Sequence, residues 1–143
     1  MVALPLAQAS EIVDAALAKG RELGLRPLAI TLLDTGGNPL VFKREDDAGI
    51  LRPGISHAKA WGAVGLGTGG GRSSRHAKDN PVFFASLAAI SDGRVASSRG
   101  GVLIRNGDGE LLGAIGVSGD RPENDEAVAV FGVEKAGLVA DAG

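Results

Sequence analysis

Two pairs of short apolar segments, each joined by a turn that contains glycine, restrict the fold of this chain more than any other feature. The turns occupy residues 34–39 and 106–109, and both combine Gly with Asn or Asp. These residue types tolerate the positive φ angles that hairpin turns require. The pattern therefore predicts two β-hairpins, whose strands are residues 28–33, 40–44, 102–104 and 111–117.

Apolar residues at helical spacing predict four helices around these hairpins. The predicted helices cover residues 6–23, 53–66, 80–90 and 122–139. The resulting order is α-β-β-α-α-β-β-α. Because one hairpin cannot bury its own apolar face, we expect both to share a mainly antiparallel sheet that helices cover. The prediction is one α+β domain over residues 1–143.

Composition excludes several classes of function. The chain has 143 residues, a net charge of -2, 3% aromatic residues and no cysteine. Nucleic acid and anionic membranes are therefore not expected partners, and thiolate chemistry is excluded. Residues 1–5 lack the basic and apolar regions of a signal peptide, and no apolar run is long enough to span a membrane. A cytoplasmic location is expected.

A glycine-rich stretch at residues 67–74 is predicted to be a flexible loop. It is not a phosphate-binding P-loop, because a helix precedes it and the lysine is missing. The alternative is a loop that contacts an anionic ligand through Arg72 and Arg75.

His57 and Lys59 lie near the start of the second predicted helix and point to different faces. We expect one of them to face inward. An inward Lys59 needs a carboxylate partner, either Asp125 or Glu126; the alternative is that Lys59 extends to solvent. The chain's other histidine, His76, has polar neighbours, which favours a solvated position.

Residues 113–126 form a predicted junction of strand, turn and helix. Pro122 suits a first helical turn, and the acidic residues after it suit the positive end of the helix dipole. Gly113 and Gly116 allow backbone, a side chain or a ligand to approach the strand closely. A buried carboxylate here could act as an acid or base, whereas exposed ones only begin the helix well. Both interpretations stay open.

Residues 100–104, 113–119 and 123–126 resemble the GlcG/HbpS-like family of small haem-binding proteins, and are similar to the C-terminal domain of PduO-type cobalamin adenosyltransferases. Residues 29–42 resemble the family's first hairpin. Lys59 and residues 67–68 resemble its second helix and the loop that follows. The resemblance implies an α/β/α sandwich, homo-oligomers, a tetrapyrrole ligand and an origin in catabolic operons.

The first functional hypothesis is therefore a haem-binding accessory protein. Its iron-ligand candidates are His57, His76 and Thr68, of which the histidines are the strong ligands. Other candidate ligand contacts are the propionate-binding arginines and the glycines of a pocket floor: Arg72, Arg75, Arg99, Gly113 and Gly116.

The second hypothesis is a cofactor-independent enzyme, of isomerase, hydratase or lyase type, that acts on a compact anionic or oxygenated metabolite. Lys59 and His57 would hold an anion or move protons, and Asp125 or Glu126 would be the base. A third hypothesis is a purely structural role as an oligomeric accessory protein.

Overall fold

The structure is a computed structural model that describes residues 3–143. Residues 1 and 2, on which the signal-peptide expectation partly depends, lie outside this range. The helices are α1 Leu6–Glu22, α2 Arg52–Leu66, α3 Gly70–Asp79, α4 Pro81–Ile90 and α5 Pro122–Lys135. The strands are β1 Ala29–Asp34, β2 Pro39–Arg44, β3 Gly101–Arg105, β4 Leu111–Ser118 and β5 Val139–Asp141.

The five strands form one sheet in the order β2-β1-β4-β3-β5, and every neighbouring pair is antiparallel. The two predicted hairpins are β1-β2 and β3-β4, and they join through the pairing of β1 with β4. The expectation that they share one antiparallel sheet is confirmed.

Helices cover both faces of this sheet because strand side chains alternate between faces. Ile30 and Leu32 of β1 pack with α1 and α5 in the larger apolar cluster, whereas Leu33 packs with Ala60 and Ala63 of α2 in a smaller one. On the α2 side, the buried hydroxyls of Thr31 and Ser56 are hydrogen-bonded at 2.8 Å. The α/β/α sandwich that the resemblance implied is confirmed.

The end of the chain differs from the prediction. Helix α5 ends at Lys135 rather than at residue 139, since Gly137 adopts a φ of 78° that a helix cannot continue through. The strand β5 follows and pairs with β3 at the sheet edge. Three partly exposed residues have too little apolar alternation to predict a strand.

The expectation of a flexible loop at residues 67–74 is wrong. Residues 70–79 form α3, whose first turn packs against other main-chain segments. Composition suggested a loop because glycine disfavours isolated helices. Close backbone packing is the reason that glycine stands here.

The predicted junction at residues 113–126 is confirmed, with β4 ending at Ser118 and α5 beginning at Pro122. Asp120 organises the turn between them. Its carboxylate accepts hydrogen bonds from the Asn124 side chain at 2.8 Å and from the main-chain N–H groups of Arg26 and Arg121 at 2.9 and 2.8 Å. These bonds lower the pKa of Asp120 to about 2.

In Asp120→Asn, the free energy of unfolding should depend less on pH in the acidic range than it does in the wild type. The folded pKa of Asp120 lies below its ordinary value of 3.8, so the carboxylate stabilises the fold above that pH and this contribution is lost as the pH falls through about 2. Urea unfolding of wild type and variant across this window checks it. An identical pH slope in both proteins would contradict the role of Asp120.

No helix formed by residues 3–143 has the length and apolar character needed to cross a bilayer.

Candidate functional site

A cavity of about 560 Å³ opens between the end of α2, α3 and the start of α4. Its lining combines apolar side chains with polar ones from α3 and the α2–α3 turn. The lining residues are Leu66, Gly67, Thr68, Arg72, Ser73, His76, Asn80, Phe83 and Phe84. Three of the residues singled out from the sequence as ligand contacts, Thr68, Arg72 and His76, therefore meet in one cavity.

Backbone geometry at two helix ends creates this cavity. Gly67 ends α2 in the left-handed conformation, with a φ of 68°, and turns the chain toward α3. Arg72 and His76 are four residues apart on α3 and therefore lie on one face of that helix. Pro81 begins α4 directly after Asn80, whose side-chain amide donates to the His76 carbonyl at 3.1 Å.

The polar and apolar groups of the cavity have separate locations. The His76 imidazole and the Arg72 guanidinium are on exposed side chains of α3. The ion pairs within residues 3–143 do not include Arg72, so its charge is available to a ligand. Phe83 and Phe84 of α4 supply aromatic surface and contact each other edge to face, with ring centroids 5.6 Å apart.

Lys59 and Asp125 form a buried ion pair away from this cavity. Lys59 Nζ lies 3.1 Å from Asp125 Oδ2 and donates to the Val117 carbonyl at 2.9 Å. The two side chains are 5% and 1% exposed. Asp125 Oδ1 also accepts from the Asp120 N–H at 3.0 Å. The prediction that an inward Lys59 meets one of the two carboxylates is thus confirmed for Asp125.

Burial and attraction act in opposite directions on this pair. Burial lowers the pKa of the Lys59 ammonium and raises the pKa of the Asp125 carboxyl, while the attraction between the two charges opposes both shifts. With both groups enclosed, a substrate in solvent has no access to either. The pair joins α2 to the start of α5, and the catalytic role of Lys59 and Asp125 stays a prediction that this burial disfavours.

The other residues of the enzyme hypothesis do not converge either. Glu126 pairs with Arg99 through two hydrogen bonds of 2.9 and 3.2 Å. His57 lies on α2 nine residues before Leu66, about 14 Å along the helix axis from the cavity end. None of the four predicted catalytic residues lines the cavity, and two of them, Lys59 and Asp125, pair with each other.

Two of the arginines predicted to bind propionates have other partners. Arg99 is engaged by Glu126, which raises the pKa of the Arg99 guanidinium through hydrogen bonding and charge. Arg75 Nη2 donates to the main-chain oxygen of Gly143 at 3.0 Å. Neither lines the cavity, and Arg72 is the predicted arginine that does.

The two glycines expected to form a pocket floor contact the chain itself. A side-chain carbon at Gly116 would overlap the Ser56 carbonyl and lie 2.7 Å from the Ala60 nitrogen, so α2 occupies the space above this residue. A side-chain carbon at Gly113 would overlap the Leu33 carbonyl of β1. The expectation that Gly113 and Gly116 form the floor of a ligand pocket is corrected, because their missing side chains allow helix and strand packing.

Sequence reasoning missed the aromatic wall of the cavity. Residues 81–90 contain no charged side chain, and no residue of α4 is buried. The lack of charged residues and of a polar face in α4 was the available signal that this helix contacts a ligand or a partner. Among residues 3–143, no cluster of three or more His, Cys, Asp or Glu side chains is arranged to hold a metal ion.

Comparison with known proteins shows the family of this chain. The model of the HbpS-like family, which is described as haem degrading protein HbpS-like, matches residues 4–134. An uncharacterized 15.0 kDa protein from the dhaT-dhaS intergenic region of Citrobacter freundii is 32% identical over 127 residues, which cover 88% of this chain and 87% of that protein.

The corrinoid adenosyltransferase PduO of Citrobacter freundii is 27% identical over 128 residues, which cover 90% of this chain. The match spans 37% of the length of PduO. A crystal structure of a PduOC–haem complex superposes with a TM-score of 0.86 at 26% identity, covering 96% of this chain and 97% of that chain.

Proposed function

This chain belongs to the HbpS-like family of haem degrading proteins, and we propose that it binds haem in the cavity between α2, α3 and α4, with His76 as the iron ligand. The observation that carries the proposal is the position of His76 and Arg72 on one face of α3, opposite Phe83 and Phe84. The related PduOC domain, solved as a haem complex, supports the class of ligand.

The chemistry of the cavity fits a tetrapyrrole. Its volume of about 560 Å³ lies within the range of about 300–1,000 Å³ that is usual for ligand pockets. Leu66, Phe83 and Phe84 offer apolar surface for the macrocycle. Haem supplies a redox-active iron when bound, and imidazole is the common protein ligand for it.

The remaining cavity residues suit the polar edge of haem. The Arg72 guanidinium, which forms no ion pair within residues 3–143, can donate two hydrogen bonds to a propionate, and such charge-assisted bonds are stronger than neutral ones. Thr68 and Asn80 are further hydrogen-bonding side chains at the cavity wall. The proposed roles are therefore iron ligation by His76, propionate binding by Arg72 and macrocycle packing by the two phenylalanines.

Titration with hemin tests the proposal directly. We expect a sharp Soret band that saturates at one hemin per cavity and a rise in the thermal midpoint as hemin is added, because a ligand that binds only the folded state stabilises it. A spectrum that stays that of free hemin at stoichiometric concentrations would reject haem binding.

We also propose that the chain is a cytoplasmic accessory protein that self-associates through α4. Val82 and Ile90 are 83% and 76% exposed, and the helix between them is uncharged. Apolar surface of this kind marks interaction sites, and an uncharged partner such as a second α4 suits it. The relative encoded between dhaT and dhaS supports an origin in an operon.

Val82→Asp should shift the protein to a smaller assembly. A carboxylate in the first turn of α4 favours the helix dipole, so the helix itself should persist while an apolar interface is disrupted. Sedimentation velocity measures the change, and Ile50→Asp, on an exposed apolar residue before α2, is the control. Identical sedimentation of Val82→Asp and wild type would rule out α4 as the interface.

A further inference from the structure

We propose that the main chain of residues 98 and 141–143 determines the position of α3, so that Gly70 and Gly71 are positioning residues for the cavity. This inference rests on the proposed function where it concerns hemin affinity. It accounts for the glycine-rich stretch, which the haem hypothesis itself leaves unexplained.

Helix α3 is attached to the rest of the fold by its first turn. Its buried residues are Gly70, Gly71 and Ser73, all within the first four positions, whereas Arg72 and His76 are exposed. A helix without buried residues in its later turns takes its direction from the part that is packed. The first turn of α3 therefore sets where Arg72 and His76 lie.

The first turn is held by main-chain groups instead of a side-chain cap. No side chain caps the N-terminus of α3 within the described residues. Instead, the Gly71 N–H donates to the Ala142 carbonyl at 2.9 Å, which satisfies one of the N–H groups that a helix start leaves without a partner. Arg75, one turn on, donates to the Gly143 oxygen at 3.0 Å.

We call the contact of residues 70–71 with the main chain of residues 98 and 141–143 the joint. Of the amino acids, only glycine fits at positions 70 and 71 of this joint. A side-chain carbon at Gly70 would overlap the Ser98 carbonyl, and one at Gly71 would lie 2.9 Å from both the Ala142 and Gly143 oxygens. All of these neighbours are backbone, which cannot rotate away as a side-chain end can. A methyl group at either position must therefore displace α3 or the segment against it.

The segment on the other side of the joint is tied to the sheet. Asp141 ends β5, which pairs with β3, and its carboxylate accepts from Arg105 Nε at 3.0 Å. The Gly143 N–H donates back to Asp141 Oδ1 at 3.3 Å. Through the joint, the position of the sheet edge therefore determines the position of α3.

Small movements at the joint become larger at the ligand. His76 is six residues beyond Gly70, about 9 Å along the helix. A tilt of about 10° at the first turn moves that part of the helix by about 1.5 Å, beyond the roughly 0.5 Å tolerance of a well-formed site. Affinity for hemin should therefore depend on residues that do not touch it.

Gly71→Ala and Gly70→Ala test the inference, with Gly54→Ala in α2 as the matched control, since a side-chain carbon at Gly54 meets open space. Hydrogen–deuterium exchange of residues 70–79 is measured without hemin, and hemin affinity is measured separately. Alanine has the higher helix propensity, so propensity alone predicts slower exchange in α3. Displacement of the joint predicts the opposite.

We expect faster exchange in residues 70–79 and at least a tenfold weaker hemin affinity in Gly71→Ala, with both values unchanged in Gly54→Ala. Gly71→Ala makes the milder clash, so it tests the inference even if Gly70→Ala does not fold. Exchange in α3 that is unchanged or slower, or faster exchange with wild-type hemin affinity, would overturn the inference. A wild-type protein that fails to bind hemin rejects the proposed function instead, and the exchange data then decide the anchoring of α3 alone.

Discussion

Replacing His76 with alanine is expected to weaken hemin binding by on the order of 100-fold, about 2.7 kcal/mol. The imidazole is the iron ligand in the proposed complex, and without it the apolar contacts of Phe83 and Phe84 remain as the main source of affinity. The Soret band should broaden and move toward that of free hemin. Absorbance titration measures both the affinity and the change of ligation.

His57→Ala is the matched control, because it removes the chain's other histidine about 14 Å from the cavity end on α2. Its hemin affinity and Soret position should equal those of the wild type. If His57→Ala lost the band and His76→Ala kept it, the assignment of the iron ligand to the α3–α4 cavity would be wrong.

Replacing Lys59 with methionine is expected to lower the free energy of unfolding by about 3–5 kcal/mol. The substitution keeps much of the side-chain volume but leaves the Asp125 carboxylate buried without its cation. For a chain of this length the thermal midpoint should fall by roughly 10–17 °C. Urea unfolding followed by circular dichroism measures the loss.

The loss in Lys59→Met should shrink as the pH falls. Burial raises the pKa of Asp125, and without the charge and hydrogen bond of Lys59 that shift is opposed mainly by the hydrogen bond from the Asp120 N–H. The folded state then binds a proton more readily than the unfolded state, so stability rises as the pH drops toward the ordinary value of 3.8. A pH-independent difference from the wild type would contradict this explanation.

Two further variants distinguish the loss of the Lys59–Asp125 interaction from the general effect of removing a lysine. Lys135→Met removes an exposed charge and should change stability by at most about 0.5 kcal/mol. The double variant Lys59→Met, Asp125→Leu removes both buried charges and should be destabilised by less than the sum of the two single changes. Strict additivity would mean that the two groups do not interact energetically.

Local sequence patterns predicted the elements that depend on neighbours in the chain. The Asn, Asp and Gly turns predicted both hairpins, and Pro122 with the acidic residues after it predicted the start of α5. For Lys59 the sequence leaves an inward and a solvent-exposed orientation open, and it predicts a carboxylate partner, Asp125 or Glu126, for the inward one. These predictions hold because turn geometry, helix termini and the desolvation of a charge are short-range effects.

Patterns failed where distant backbone segments meet. The glycines at residues 69–71 predicted a loop, yet a helix begins there. Glycine is needed at these positions because the carbonyls of Ser98 and Ala142 occupy the space where side chains would be. Gly116 suggested room for a ligand, yet α2 fills that room. At these positions glycine reflects a close approach, and the sequence does not say which group approaches.

Local conformational preference is enough to predict the antiparallel hairpins and most of the helices around them, and the charge of Lys59 is enough to predict an acidic partner if that side chain is buried. Tertiary packing turns Lys59 inward to Asp125 rather than to Glu126, and it pairs Arg99 with Glu126. It also brings His76 and Arg72 into one cavity with Phe83 and Phe84. The physical reason is that burial and contact depend on how α2, α3 and α4 pack, and that packing is set by residues far apart in the chain.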